Sequence, residues 1–500
     1  MRYKVWWEVF FILGLATVLS IGKVNLTDSA EAKEAEVPSY FRLSVDPDKH
    51  NDYGFTYPIT YQFSIASNSS SLEAYKKYAE SAIWAEITRK TNEDFFNGIE
   101  AVRFDYDNNK VYISVTFRDG RDEIFLKIVD EWGNSVVTYD GIPKYYDNRD
   151  AAVVFSADDW CGNSFIDLRF REACDMFTSK RIWLSAAVIT QGFRNNPIWG
   201  DQPPPIWSHI QHKIDKGYVE IVGHSRTHPH VPYDDYDFEV GGCKDDIVDN
   251  LDLPSLYKKG TYEYVWGWTA PYGNNNDTLR NKLGQYKYMS NVAGWWDTGY
   301  GDFPDWDSGN GLYEEWNRWG YIEFETLSSL NSQFDGRVNA GKIYHIGFHP
   351  QKLDFFSGSK IDQHTDYIKG RTNLWYVGHG ALMIYHYVKD QNIVTVQEKY
   401  GLQTLGEVFS YPNPCYPEQG QMIKITNLPW NIEKVYVYTI AGELVRSLER
   451  GDEIEERLHY FEAVWDCRNE NGQEVARGIY IYLAVTNEGE QKAGKIAIVK

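Results

Sequence analysis

Cysteine is scarce in this chain. Five residues in 500, Cys161, Cys174, Cys243, Cys415 and Cys467, show no paired spacing of the kind that holds zinc. That excludes a thiolate metal site and a small fold stapled by many bridges, and the odd count leaves at least one thiol unpaired. Positive charge is also in deficit: 50 Lys and Arg against 71 Asp and Glu give a formal net charge of −21. A surface of that sign repels phosphate backbones and anionic bilayers on average, so nucleic acid is not an expected partner. Long apolar runs are absent but for one. Residues 9–21 form a run of thirteen, short for a membrane span of about 20 and suited to a signal-peptide core. Arg2 and Lys4 precede it, and Ser20 and Gly22 mark a cleavage point near residue 22. Residues 1–24 are expected to be a signal peptide or, if uncleaved, a membrane anchor. The protein is then secreted or at the cell surface, with membrane contact only in the uncleaved case.

What is present is a globular composition, 43% hydrophobic and 24% charged, over a length that suits about three domains. Aromatic residues are abundant at 16%, with 37 Tyr and 18 Trp. Flat amphipathic rings both build β-structure and stack on sugar faces, and composition leaves the two uses open. Over residues 25–147, runs such as "ITYQFSI", "VYISVTF" and "EIFLKIV" are separated by Asn, Gly and Asp turns, which predicts a β-sandwich module. Over 148–400 the texture changes. Seven short apolar runs, "AAVVFS", "IWLSAAVIT", "VEIVG", "YEYVWGW", "KYMSNVA", "YIEFETL" and "KIYHIGF", alternate with helix-like segments. That alternation predicts a parallel α/β sheet, and the count favours a barrel. Residues 401–500 return to β texture, enough for one small sandwich, where Cys415 and Cys467 are candidates for a bridge.

Polar residues fall at the ends of the central runs. "AAVVFSADDW" ends in Asp158 and Asp159. "VEIVGHSRTH" ends in His224, with His228 four positions on. "VWGWTAPYG" ends in Pro271, Tyr272 and Gly273, and "KIYHIGFHP" ends in His349. Chance alone supplies about 0.3 His pairs at that spacing, so the HxxxH pair needs its context. The context is a barrel, whose parallel strands deliver their C-terminal ends to one face. One carboxylate with two imidazoles leaves other metal positions open and suits Zn²⁺, with Co²⁺, Mn²⁺ or Ni²⁺ as alternatives. The adjacent carboxylate is free to take a proton from water that the metal has made more acidic. His230 reads as a solvated loop residue, His209 and His212 as surface or packing residues, and His379 and His386 as structural residues on an amphipathic helix.

These residues carry a resemblance. The central region is similar to the metal-dependent polysaccharide deacetylases, carbohydrate esterase family 4, whose motifs it keeps in order. "SADDW" resembles the first motif, which implies Asp158 as general base and Asp159 as metal ligand. "HSRTH" resembles the second and implies His224 and His228 as ligands. "TAPYG" resembles the third, with Pro271 beside the substrate and the Tyr272 backbone N–H as an oxyanion donor. "DFPDW", residues 302–306, resembles the fourth, implying Asp305 beside the catalytic acid and Trp306 against substrate. "HIGFH" resembles the last, with His349 as general acid and His345 as the fallback. The resemblance covers about half the chain. It implies a distorted (β/α)7 barrel and hydrolysis of N- or O-acetyl groups on an acetylated polysaccharide. The last 100 residues resemble Ig-like C-terminal modules of the hook-capping and secretion-sorting type, through "YPNPCYP", "VYTIAGELVRSL" and "GKIAIVK".

Two positions depart from the family pattern. Thr269 stands where an arginine normally orients the base, and a neutral hydroxyl does not replace a guanidinium fork. Trp160 stands where the first motif turns with glycine, and is expected to reshape the mouth of the site or stack on sugar. The sequence therefore supports an exported carbohydrate deacetylase, with a catalytically weak or inactive carbohydrate-binding protein on the same fold as the alternative.

Overall fold

The structure is a computed structural model. It describes residues 40–65, 71–79, 83–118, 121–130, 135–293, 315–316, 320–399, 405, 408–457, 460–487 and 489–499. The expected leader at 1–24 and the pair Asp305 and Trp306 lie outside the described residues. Among the described residues, no helix is long and apolar enough to cross a membrane.

The centre of the molecule is an eight-stranded sheet built from β1 (Ala151–Trp160), β2 (Leu184–Val188), β3 (Val219–Gly223), β4 (Gly267–Thr269), β5 (Ser290–Val292), β6 (Glu315–Trp316), β7 (Tyr344–Phe348) and β8 (Leu374–Tyr376). The order is β6-β5-β4-β3-β2-β1-β7, with β8 on the first residues of β1, and every pairing is parallel. It is a curled half-barrel. Every residue of β1 is buried, as befits a central parallel strand covered on both faces. Helix α1 (Ser164–Ser179) follows β1, with Asn163 as its N-cap accepting from the N–H groups of Phe165 and Ile166. Helix α2 (Trp207–Asp215) leads into β3, and α3 (His379–Asp390) follows β8.

Two expected elements come out differently. "YIEFETL" forms an isolated bridge, Tyr321 to Gly347 of β7, and then a 3₁₀ turn at Ile322–Phe324 instead of a strand. "NLWYVGHGALMIYHYVKD" divides into β8 and α3, because Gly378 ends the strand and becomes the helix N-cap. The sheet thus has eight strands where seven runs were counted.

The N-terminal region carries two five-stranded sheets. One of them is completed by Val394–Lys399, which lies beyond the barrel in sequence and pairs antiparallel with Tyr40–Val45. These sheets and the half-barrel share one continuous hydrophobic core. The C-terminal region holds two four-stranded sheets around a second core that includes Trp430, Trp465 and Tyr482, with Tyr40 and Phe125 of the N-terminal sheet packed into it. Cys415 and Cys467 are buried there as free thiols, with their sulfurs 3.9 Å apart.

Candidate active site

The two aspartates that end β1 share one cavity because the strand breaks its own alternation. Ala157 pairs with Ala186 of β2, but Val188 pairs with Trp160, so one extra residue is bulged between them. Asp159 sits in that bulge at φ 82, a left-handed conformation that a non-glycine residue holds only when its surroundings dictate it. Adjacent strand residues normally face opposite ways. Here Asp158 and Asp159 both line a cavity of about 180 Å³ with His224, His228, Tyr272 and His349.

His224 follows β3 directly. Its Nδ1 lies 2.7 Å from the Thr269 carbonyl, which only accepts, so Nδ1 carries the proton and Nε2 presents its lone pair 3.3 Å from Asp159 Oδ1. His228, at φ 63, also brings Nε2 to 3.3 Å from Asp159 Oδ1. The turn between them is held by the His228 N–H donating to Ser225 Oγ (2.8 Å) and by the Arg226 and Thr227 N–H groups donating to Glu239 Oε2 (2.9 Å each). Donor atoms of Asp159, His224 and His228 all lie within 4.8 Å of one another, and all three residues are buried. A carboxylate with two imidazoles turned Nε2-inward fits a divalent cation. Burial pulls the His228 imidazole below its ordinary value against the pull of Asp159, favouring the neutral form that a ligand needs. Burial pushes the Asp159 carboxyl up, but the neighbouring imidazoles of His224, His228 and His349 hold it well below the usual carboxylate range.

His349 follows β7 and faces the same cavity, with Nε2 3.8 Å from Asp159 Oδ2. Its Nδ1 donates to Glu323 Oε1 at 2.6 Å. Burial lowers the imidazole, but the Glu323 bond and the charges of Asp159, Glu323 and Asp158 outweigh it, so its pKa is raised. Glu323 is thus a neighbour of His349 that the sequence did not point to, while Asp305, expected beside His349, lies outside the described residues. His345, the fallback, is buried inside β7 against Ser156 Oγ (2.8 Å) and does not reach the cavity.

Trp160 and Pro271 are corrections. The bulge that turns both aspartates inward also turns Trp160 away, and it is fully buried against Phe170 of α1, ring centroids 4.8 Å apart. Pro271 is buried in the turn that presents Tyr272 and does not line the cavity. Thr269 is buried too, and its Oγ1 finds no partner among the described residues. The histidines read as structural are so placed: His379 bonds Ser290 Oγ, and His386 pairs with Asp390.

Tyr321, Gln351, Asn196, Trp199, Ile198 and Lys352 line the cavity and were not found from sequence. Tyr321 donates to Asp158 Oδ2 (3.3 Å) and stacks on the His349 ring at 5.1 Å. Gln351 donates from Nε2 to Asp159 Oδ2 (3.0 Å). Asn196 and Trp199 reach in from the loop after β2. Only Gln351 had a local signal, two positions beyond His349.

No protein-family model and no curated protein matches the chain. Solved structures are similar to parts of it. PorZ, an essential bacterial surface component of the type-IX secretion system of Porphyromonas gingivalis, is 24% identical over 19% of this chain and 12% of its own, with a TM-score of 0.16. IcaB from Ammonifex degensii is 14% identical over 28% of this chain and 58% of its own, TM-score 0.22. A CE4 family pseudoenzyme from Bacillus anthracis is 12% identical over 49% of this chain and 69% of its own, TM-score 0.28. The chain thus spans 12% and 58% of the first two. At these scores the likeness carries no argument about the chemistry of the cavity.

Proposed function

We propose that the protein is an exported, metal-dependent carbohydrate deacetylase acting on N- or O-acetyl groups of a polysaccharide. The observation that carries this is the meeting, in one cavity, of a buried Asp159–His224–His228 group with a second carboxylate, Asp158, and a second imidazole, His349. A divalent cation, Zn²⁺ by ligand type, would polarise the acetyl carbonyl and make water more acidic. The remaining work belongs to the chain. Asp158, held by Tyr321, accepts a proton from the attacking water. The water oxygen bonds to the acetyl carbon, and the Tyr272 N–H donates to the oxygen that gains charge. His349, whose protonated form Glu323 favours, gives its proton to the leaving nitrogen or oxygen. The C–N or C–O bond breaks, and acetate leaves with a free amine or alcohol on the sugar.

Tyr321 also bears on the missing arginine. It is a neutral donor to the base where the family pattern has a cation, so Asp158 is held, though without a guanidinium fork. A catalytically weak or inactive sugar binder is the second reading, favoured by Thr269. Acetate release over a panel of acetylated chitin, peptidoglycan and xylan fragments separates the two. Asp159→Ala is expected to abolish both metal binding and acetate release. Metal-dependent release that survives in that variant refutes the assignment.

A further inference from the structure

Arg149, two residues before β1, is only 7% exposed and has donor capacity to spare. One Nη2 hydrogen goes to the Phe96 carbonyl (3.1 Å). Its Nε lies 2.9 Å from Asp147 Oδ2 but is not aligned to bond it, and finds no hydrogen-bond partner among the described residues. A buried donor left in this state is costly and calls for an acceptor. Arg149 lines a cleft of about 340 Å³ where the N-terminal sheets meet the barrel. Arg103 and Asp147 are the other buried residues of its lining. Arg103 donates from Nε to Asp147 Oδ1 (3.0 Å), from Nη2 to the Asp147 carbonyl (2.8 Å) and from Nη1 to Asn92 Oδ1 (2.6 Å). Asp147 and Asn148 both stand at φ 51, two left-handed residues in succession and neither a glycine. That turn sets the Asp147 carboxylate between the two guanidinium groups and leaves Asn148 exposed. Asp150 and Asn373 are exposed at the rim, where Asn373 Nδ2 donates to Asp150 Oδ2 (2.8 Å). All ten residues that line the cleft are polar.

Small-molecule sites are usually lined by apolar side chains with a few polar ones among them. A lining with no apolar residue selects a ligand that is polar on every side. Its charge disfavours an anion, since two guanidinium groups stand among three carboxylates, Asp105, Asp147 and Asp150. A divalent cation fits no better. Arg103 and Arg149 already hold the Asp147 oxygens, and among the described residues only the Asp159 group is close enough to share an ion. A neutral polyol fits, because each hydroxyl can donate to a carboxylate or amide oxygen and accept from a guanidinium or amide N–H. We propose that this cleft is a saccharide-binding site separate from the catalytic cavity. A sugar hydroxyl oxygen accepts from Arg149, and neighbouring hydroxyls donate to Asp150 and Asp105. Asp150 stands immediately before β1, and Asp158 and Asp159 stand at its other end, about 25 Å away at ~3.3 Å per residue. One sugar unit therefore cannot occupy both places, and the cleft holds the protein on a glycan by the end of the barrel remote from the cavity. The site stands whether or not the cavity hydrolyses acetyl groups.

Isothermal titration of the full chain with neutral tetrasaccharides of glucose, xylose, mannose and N-acetylglucosamine tests this. At least one is expected to bind saturably in wild type and in Asp159→Ala, where the candidate metal group is broken. Asp150→Ala should weaken that binding by about ten- to a hundredfold, the worth of a hydrogen bond to a charged group, and Asp150→Asn should recover part of it. Arg149→Lys keeps the charge but loses the planar fork, and should weaken binding as well. Should that buried change unfold the protein, Asp150→Ala at the exposed rim decides alone. Binding that disappears in Asp159→Ala and is untouched by Asp150→Ala puts the sugar in the catalytic cavity and overturns the cleft site. Absence of saturable binding by all four sugars also overturns it. So does a cleft that takes calcium chloride or sodium phosphate instead, seen as binding heat that Asp150→Ala abolishes. Acetate release enters none of these readings, so a failed deacetylase proposal and a failed cleft site are told apart.

Discussion

Tyr321, Glu323 and Gln351 each touch one working group of the cavity, and each gives a separate prediction. Tyr321 holds Asp158 through one hydroxyl. Tyr321→Phe keeps the ring on His349 and removes the hydroxyl, so kcat should fall roughly tenfold, part of the 10²–10⁴ that general base catalysis contributes. Metal content should not change, and equal kcat in the variant would contradict the role. Glu323 raises the pKa of His349, which in the proposed mechanism acts in its protonated form. Glu323→Gln removes the anion, so the imidazole loses its proton at lower pH and the alkaline fall of kcat should move to lower pH. A pH–rate profile with an unmoved alkaline limb would reassign the acid. Gln351 steadies the Asp159 oxygen through its amide. Gln351→Leu should weaken metal binding by about ten- to a hundredfold, the usual cost of losing an outer hydrogen bond to a ligand, as read by competition with a chelator.

Strands and turns decide which of these groups meet, and here the sequence told part of the story. The positions of Asp158, Asp159, His224, His228 and His349 at the ends of apolar runs were legible, because β1, β3 and β7 are buried parallel strands with nearly continuous apolar sequence. The bulge was not legible. A register shift between Ala157 and Trp160 depends on β2, and it alone decides that two neighbouring aspartates face inward and Trp160 faces the core. Glu323 and Tyr321 were missed because "YIEFETL" looks like a strand, whereas it bridges β7 once at Tyr321 and then turns. Glu220, inside β3, was read only as part of an apolar run. Its carboxylate is fully buried and accepts from Ser185 Oγ (2.7 Å) and from the N–H groups of Gly380 (3.1 Å) and Ala381 (3.0 Å) in the first turn of α3. It satisfies helix donors that have no other partner within the helix. Glu220→Ala should cost about 2–3 kcal/mol in chemical denaturation, while a cost near zero would show that the first turn of α3 finds other acceptors.

For the molecule as a whole, the half-barrel and the N-terminal sheets are one folding unit. They share a core, Trp266 Nε1 donates to the Tyr53 carbonyl (2.7 Å), Trp375 Nε1 donates to Tyr57 Oη (2.8 Å), and buried Asp147 pairs with Arg103 and Arg149. The C-terminal sheets have their own core. Calorimetry should therefore show the barrel and N-terminal sheets melting together, with a divalent ion raising that transition and leaving any separate C-terminal one in place. The division between the N-terminal region and the barrel, plain in sequence texture, hides the return of Val394–Lys399 to the first sheet, which no local pattern announces. The proposed hydrolase reading turns on one cation at Asp159, His224 and His228. An anomalous-difference map from metal-loaded crystals tests this directly. The expected map shows a single peak bonded by one oxygen and two nitrogens at about 2.0–2.2 Å from those three side chains. A map with no peak there, or with the ion held by other residues, contradicts the metal centre and the chemistry built on it.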